Sequence, residues 1–283
     1  MNNIDALTGY PPTWCAGCGN WGIGRSVMTA LTNQNLKPSD VAILFDIGCS
    51  GNMADFINCY GLHTLHGRSV ANAVGVKLGN HNLPVVVIGG DGGLYGEGGN
   101  HLLHACRGNH DITVIVHDNG VYGLTTGQVA PSARKGHVTK STPYGVIEQN
   151  VHALMLALTQ GATFVAQGFA GNVPQVTELI TAGMKHQGFA LINVLQPCVS
   201  FNKTNDYGYY FKHTYQLQGH DAGSFSHALD RAKDVMDERF PLGILYQVER
   251  PTFHAQLPQL DKQALVDSPR IRLPQKSIVG EFC

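Results

Sequence analysis

Charge is scarce in this chain. Only 14% of its 283 residues are Asp, Glu, Lys or Arg, against the roughly 25% usual in soluble domains. The formal net charge is −1, which leaves no basic footprint for nucleic acid. No apolar run is long enough to span a bilayer. The first residues, Met1-Asn2-Asn3-Ile4-Asp5, lack the basic region and apolar core of a signal peptide. These absences predict a cytoplasmic protein with neither a nucleic-acid nor a membrane partner. Internal repeats and low-complexity segments are missing as well. The cysteines number seven, an odd count, and they are too scattered for a secreted disulfide framework.

Glycine is abundant, at 34 residues, and with so little charge it points to tight packing and to surface covered by partner subunits. The glycines cluster where apolar runs stop. Val85-Val86-Val87-Ile88 runs into Gly90-Asp91-Gly92-Gly93, and Ile112-Thr113-Val114-Ile115-Val116 runs into Asp118-Asn119-Gly120-Val121-Tyr122. A continuous apolar run ending at glycine reads as a central strand of a parallel sheet. Ligands of open α/β sheets sit beyond such carboxyl ends. Asp91 offers a carboxylate and Asn119 an amide oxygen, while the glycines let backbone approach a phosphate. Mg²⁺ takes a few such oxygens and completes its octahedron with phosphate and water. A magnesium-anchored diphosphate is the ligand this pattern suggests, although Asp and Asn at strand ends also serve as plain turn residues.

Strands are expected over residues 41–45, 85–88, 112–116, 163–167 and 190–195, and helices over 21–31, 68–78, 99–107, 146–158, 173–187 and 224–239. Residues 122–142 form a long loop rich in Gly, Thr and Ser, a length that is often functional. Beyond Asn202 the chain reads as aromatic, polar and irregular apart from one helix. The alternation predicts an α/β fold with a doubly wound, mostly parallel sheet. Residues 1–205 would form the cofactor domain with an N-terminal cysteine loop, and residues 206–283 an extension packing on that domain or on a partner subunit.

Cys15-Ala16-Gly17-Cys18 is a CxxC pair, and Cys49 and Cys198 each follow a predicted strand. Four thiolates converging on one sheet edge would suit an iron–sulfur cluster or structural zinc. Spacing alone equally permits unrelated buried cysteines. Zinc ribbons pair two CxxC knuckles, whereas one is present here, and no βαβ pattern precedes it as in a thioredoxin-type redox pair. Cys59, Cys106 and Cys283 read as small core or tail residues. His101 and His104, three apart on one helix, read as packing or interface residues, and Trp14 and Trp21 as core anchors around the cysteine loop.

An ordered set of motifs goes further. It comprises Trp14-Cys15-Ala16-Gly17-Cys18-Gly19, Asp46-Ile47-Gly48-Cys49-Ser50-Gly51 and His63-Thr64-Leu65-His66-Gly67-Arg68. Next come Gly89-Gly90-Asp91-Gly92, Gly99-Asn100-His101-Leu102-Leu103-His104 and Asp118 to Thr125, then Gln128, Gln196-Pro197-Cys198 and His220-Asp221. From about residue 10 to about residue 230 the set resembles, in family order, the β subunit of the 2-oxoacid:ferredoxin oxidoreductases. That resemblance implies thiamine diphosphate held through Mg²⁺ beside a [4Fe–4S] cluster. The cluster ligands would be Cys15, Cys18, Cys49 and Cys198, and the Mg²⁺ ligands Asp91, Asn119 and the Val121 carbonyl. Ile47, Gly48, Cys49, Ser50, His66, Gly67, Arg68, Gly92, Gly93, Gly123 and Leu124 would line the cofactor, with Arg68 meeting phosphate at a helix N-terminus. The implied reaction is coenzyme A-dependent oxidative decarboxylation of a 2-oxoacid, 2-oxoglutarate or pyruvate, with ferredoxin as electron acceptor. The activating glutamate is expected on an α subunit of the same enzyme, in an α₂β₂ assembly.

The chain departs from the family pattern at three places. Asn52 stands three positions after the third cluster cysteine, where a lysine or arginine is common. Thr126 stands where a lysine is frequent, and Gly93 where an acidic residue is usual. None of these removes an implied ligand, but the first two remove cations suited to a substrate carboxylate. A non-redox thiamine diphosphate decarboxylase or synthase subunit and a zinc-stabilised, non-catalytic subunit are the rival readings.

Overall fold

The computed structural model describes residues 3–269; Cys283 lies outside them. The chain begins with a short helix α1 (Asn3–Leu7) and the cysteine loop. Then follow α2 (Asn20–Asn33), β1 (Ala42–Phe45), β2 (Tyr60–His63), α3 (Ser69–Gly79), β3 (Val85–Gly90), α4 (Gly99–Gly108) and β4 (Thr113–Asp118). A small antiparallel hairpin, β5 (Val121–Tyr122) with β6 (Gln128–Val129), precedes α5 (Ala153–Thr159), β7 (Phe164–Phe169), α6 (Val173–Lys185) and β8 (Ala190–Leu195). The chain then adds α7 (Tyr207–His213), β9 (Thr214–Gln216), α8 (Phe225–Lys233) and β10 (Phe240–Gln247).

Eight strands form one sheet in the order β2-β1-β3-β4-β8-β7-β10-β9. Every neighbouring pair is parallel except β10 with β7. The apolar runs are continuous because both faces of the sheet are covered. On one face Val85 and Val87 of β3 and Val114 and Val116 of β4 pack with Leu102, Ala105 and Ala157. On the other, Val86, Ile88 and Ile115 pack with Ile23, Val27, Val176 and Ile180. Thus α3, α4, α5 and α8 cover one side, and α2 and α6 the other. The crossover helices change sides between β4 and β8, which makes the carboxyl ends of those two strands the topological switch point.

The structure departs from the sequence expectation where local pattern is weak. Strand β2 is an edge strand with all four residues exposed, so it carries no apolar signature. The segment beyond Asn202 holds a helix and the eight-residue β10. That strand contains Pro241 and Gly243, which read as breakers, and it tolerates them with an irregular register between Ile244 and Tyr246. The helix expected over 146–158 is confined to Ala153–Thr159. Upstream, Gly145 adopts a left-handed φ of +85° and Val151 donates its N–H to the Pro131 carbonyl. Trp14 is half-buried, edge-on to Phe56. Trp21 is 43% exposed and is therefore no core anchor. Its role is local: its indole N–H donates to the Cys15 carbonyl at 3.1 Å. Among the described residues no helix is long and apolar enough to cross a membrane.

Candidate functional site

A cleft opens at the switch point, bordered by residues from the ends of β1, β3 and β4, from the β5–β6 hairpin and from the segment after β8. Its foundation is Asp46, fully buried at the end of β1. One carboxylate oxygen accepts from the Ile47 N–H at 2.8 Å and the Gly67 N–H at 3.0 Å, and the other from the Ser69 hydroxyl at 2.6 Å. This carboxylate ties the turn carrying Gly48 and Cys49 to the start of α3. Gly93 is explained by the same group, since a Cβ there would stand 2.5 Å from Asp46 Oδ1. The acidic residue usual at that position has no room here. Gly92 is likewise enforced, because the Tyr122 ring occupies the space a Cβ would need.

Asp91 is buried at the end of β3. It accepts from the Gly92 N–H at 2.9 Å, the Gly120 N–H at 2.7 Å and the Ser132 hydroxyl at 2.5 Å. Burial pushes its pKa up, and the neighbouring Asp118 carboxylate adds to the shift; burial raises Asp118 in the same way. Two carboxyl groups held this close in a dry setting favour a cation between protein and ligand. A carboxylate has about four lone-pair sites, so three donors leave Asp91 one for a metal. Asn119 accepts from the Val121 N–H at 2.9 Å through Oδ1 and donates from Nδ2 to Gln196 Oε1 at 2.9 Å. Its amide oxygen is therefore oriented and keeps one lone pair. Asn202 braces the same loop by donating to the Asn119 carbonyl at 2.8 Å.

Several buried polar atoms around the cleft have no partner: Ser50 Oγ, His117 Nε2 and Asn20 Nδ2. His117 faces the cleft from β4 with its Nδ1 2.7 Å from Asn20 Oδ1. Burial lowers its pKa to about 3, so the ring is neutral. Buried polar groups without partners are costly. Ser50 Oγ, with the glycine backbones of Gly48, Gly90, Gly92 and Gly93, forms a cradle suited to an anionic group such as a diphosphate. His117 Nε2, an acceptor in this tautomer, suits a donor group of the ligand.

The four expected cysteines gather around the Cys49 border of the cleft. Cys49 borders it, and a Cβ on Gly123 would lie 3.3 Å from its sulfur. Burial raises the Cys49 pKa to about 11, with the Cys18, Cys198 and Cys15 thiols each adding to it. Burial also raises Cys18, and Cys198 and Cys15 act on it in the same direction. The four thiols are thus mutual electrostatic neighbours, although they come from three widely separated parts of the chain. Trp14 anchors the turn by donating its indole N–H to the Cys49 carbonyl at 2.7 Å. Among the described residues no group of three or more His, Cys, Asp or Glu could hold a single metal ion. Four thiols are a donor set of the kind that holds an iron–sulfur cluster or a structural zinc.

Of the expected cofactor-lining residues, Ile47, Gly48, Cys49, Ser50, His66, Gly92, Gly93, Gly123 and Leu124 all border the cleft, as do Asp91, Asn119 and Val121. Gly67 and Arg68 do not. Gly67 serves as a donor to Asp46, and the exposed Arg68 donates to the Glu97 carbonyl at 3.2 Å. His66 Nδ1 stands 3.5 Å from Asp46 Oδ1 and 3.4 Å from Glu97 Oε2. His101 is half-buried and His104 is exposed. His104 Nδ1 accepts from Arg107 Nε at 3.3 Å. Sequence reasoning missed Asp46, His117, Tyr122 and Gln196 as site residues. An acidic residue and a histidine ending apolar strands were the available signals for the first two.

The thiamine pyrophosphate enzyme C-terminal TPP-binding domain family matches residues 46–194, and the family of C-terminal regions from pyruvate ferredoxin oxidoreductase β subunits matches residues 198–262. The 2-oxoacid:ferredoxin oxidoreductase subunit beta of Saccharolobus solfataricus is 39% identical over 90% of this chain and 88% of its own length. The 2-oxoglutarate synthase subunit KorB of Methanocaldococcus jannaschii is 35% identical over 88% of this chain and 93% of its own length. Among solved structures, the 2-oxoglutarate:ferredoxin oxidoreductase from Magnetococcus marinus, with 2-oxoglutarate, coenzyme A and succinyl-CoA bound, matches with a TM-score of 0.90. Its identity is 35%, covering 99% of this chain and 96% of that one.

Proposed function

Because the chain belongs to the β subunits of the 2-oxoacid:ferredoxin oxidoreductases, with a thiamine diphosphate-binding domain of α/β fold, we propose that it holds both redox groups of such an enzyme. The enzyme oxidatively decarboxylates a 2-oxoacid, transfers the acyl group to coenzyme A and delivers electrons to ferredoxin. One observation carries the reading: Asp91, Asn119 and Cys49 border a single cleft, and the thiols of Cys15, Cys18 and Cys198 act on that of Cys49. Asp91, Asn119 Oδ1 and the Val121 carbonyl hold Mg²⁺, and Cys15, Cys18, Cys49 and Cys198 hold a [4Fe–4S] cluster. When bound, thiamine diphosphate supplies an electron sink for decarboxylation, and the cluster a one-electron acceptor.

The residues of the chain position and enclose these groups. Ser132 and the Gly92 and Gly120 N–H groups aim the Asp91 carboxylate. Asp46 holds the Gly48–Cys49 turn against the start of α3. Ser50 Oγ offers an unpartnered donor to the diphosphate, while His117, its Nδ1–H directed at Asn20 Oδ1, presents Nε2 to the cleft as an acceptor for a donor group. The relatives are named as β subunits, which supports an α₂β₂ assembly in which the activating carboxylate comes from the α subunit. Residues 1–205 act as the cofactor domain, and the described part of the remainder, residues 206–269, packs on it and adds β10 to the same sheet beside β7.

The test is anaerobic co-purification with the α subunit, followed by iron, sulfide and thiamine analysis. Viologen reduction is then measured against a panel headed by 2-oxoglutarate and pyruvate. Iron, sulfide, thiamine diphosphate and 2-oxoacid-dependent reduction are expected together. Iron-free protein with thiamine diphosphate would favour a non-redox decarboxylase, and stoichiometric zinc alone a binding subunit. Robust ferredoxin reduction by the isolated chain would overturn the need for an α subunit.

A further inference from the structure

Gln196, in the Gln196-Pro197-Cys198 motif, has no role in the ligand set above, yet it touches both halves of the site. Its side chain is 1% exposed. Oε1 accepts from Asn119 Nδ2 at 2.9 Å, and Nε2 donates to Cys18 Sγ at 3.3 Å. The two bonds use the amide in one consistent orientation, with the oxygen toward the donor and the NH₂ toward the sulfur. The backbone fixes the residue as well: the Gln196 N–H donates to the Asp118 carbonyl at 2.8 Å, and the Pro197 carbonyl accepts from the Gly19 N–H at 3.0 Å. Gly19 itself is required by this approach, since a Cβ there would stand 2.7 Å from Gln196 Cγ. One buried amide therefore joins a Mg²⁺ ligand on one strand end to a cluster thiol in the N-terminal loop.

We infer that Gln196 is a positioning residue that orients Asn119 toward the metal while its N–H raises the reduction potential of the cluster by bonding to the Cys18 sulfur. The inference rests on the function proposed above. Hydrogen bonds to a thiolate withdraw electron density from the cluster and favour its reduced form. Locking the Asn119 amide by its donor end leaves only its oxygen to face the metal. A second donor, Ser200 Oγ, lies 3.2 Å from Cys15 Sγ in an exposed setting and touches no Mg²⁺ ligand. It separates the two effects.

The experiment compares the anaerobic holoenzyme with Gln196→Met, Gln196→Glu and Ser200→Ala. Iron and sulfide are measured first, then cluster midpoint by EPR-monitored redox titration, and thiamine diphosphate–Mg²⁺ affinity by calorimetry on the α-bound protein. Gln196→Met should retain the cluster, leave it about tenfold less reduced at a fixed potential (~59 mV for one electron), and weaken cofactor binding on the order of tenfold. Gln196→Glu keeps an acceptor for Asn119 but loses the N–H, so its midpoint should fall while cofactor affinity stays within about twofold. Ser200→Ala should lower the midpoint less than either and leave cofactor affinity unchanged. An unmoved midpoint in both Gln196 variants overturns the inference. So does loss of the cluster from both, which would make Gln196 a structural prop, or unchanged cofactor affinity in Gln196→Met. Absence of iron and sulfide from the wild-type holoenzyme would instead overturn the function on which the inference stands.

Discussion

The two edges of the sheet use their polar residues in opposite ways. At the amino ends, Lys77, 7% exposed, forms an ion pair with Asp111 at 2.6 Å and donates to the Leu83 carbonyl at 3.0 Å. Asn109 donates to the Arg250 carbonyl and accepts from the Phe189 N–H and the Thr163 hydroxyl. His186 reaches the same Thr163 hydroxyl, His110 stacks on Phe253, and His81 on His254. At the carboxyl ends, Ser50, Asn20 and His117 leave buried polar atoms without partners, and two carboxyl groups are held together against their repulsion. The first edge closes nearly all of its hydrogen bonds among protein atoms, His81 Nδ1 being the exception. The second reserves them for a ligand, at a cost in stability that bound cofactor would offset.

Substitutions should separate the two edges cleanly. Cys49→Ser should reduce iron content and viologen reduction to background in the holoenzyme, while the melting temperature of metal-free protein shifts by less than that of any amino-edge variant. A large drop in the metal-free melting temperature would erase the contrast. Lys77→Ala leaves Asp111 as a half-buried, unpaired carboxylate and should cost about 3 kcal/mol in urea unfolding. Thiamine diphosphate affinity should be unchanged. Asp91→Asn should weaken thiamine diphosphate–Mg²⁺ binding by about 10–100-fold, read by calorimetry.

Acidification should act on both edges, since burial lowers the pKa of His117 at the cleft to about 3 and those of the amino-edge rings in the same direction. Burial lowers the pKa values of His110, His186 and His254 from 6.5. Below pH 6.5 the unfolded chain takes up protons that the native one does not, so the melting temperature should fall as pH drops from 6.5 towards 5. A flat profile would show that these rings titrate freely in the native state. The smallest effect belongs to the hairpin tip. Thr126 holds a left-handed φ of +77°, which is strained for a β-branched residue. Thr126→Gly should therefore stabilise the chain by up to about 1 kcal/mol in denaturant unfolding.

Much of the cofactor half was legible because its signals are local. An apolar run stopped by glycine, followed by Asp91 or Asn119, marks a strand end and its oxygen within a few residues. The edge strand β2 was not legible, because an exposed edge needs no apolar pattern. Strand β10 was hidden by Pro241 and Gly243, which the sheet accommodates through an irregular register. Arg68 shows a side chain whose partner the sequence did not reveal. Its position at the start of α3 suggested a phosphate contact, and its exposed guanidinium donates to the Glu97 carbonyl, a long-range partner that no local pattern marks.

By itself the sequence determined the fold class, the strand ends that carry Asp91 and Asn119, and the cysteine positions, since periodicity and chain-stopping glycines act over short distances. Only the tertiary structure decided that Asp46 underlies the Cys49 turn, that Gly93 must lack a side chain, and that Gln196 spans the site. Gln196 and Cys18 lie 178 positions apart. A contact of that kind depends on how β8 packs beside β4 and on where α2 begins, and no local residue pattern encodes either.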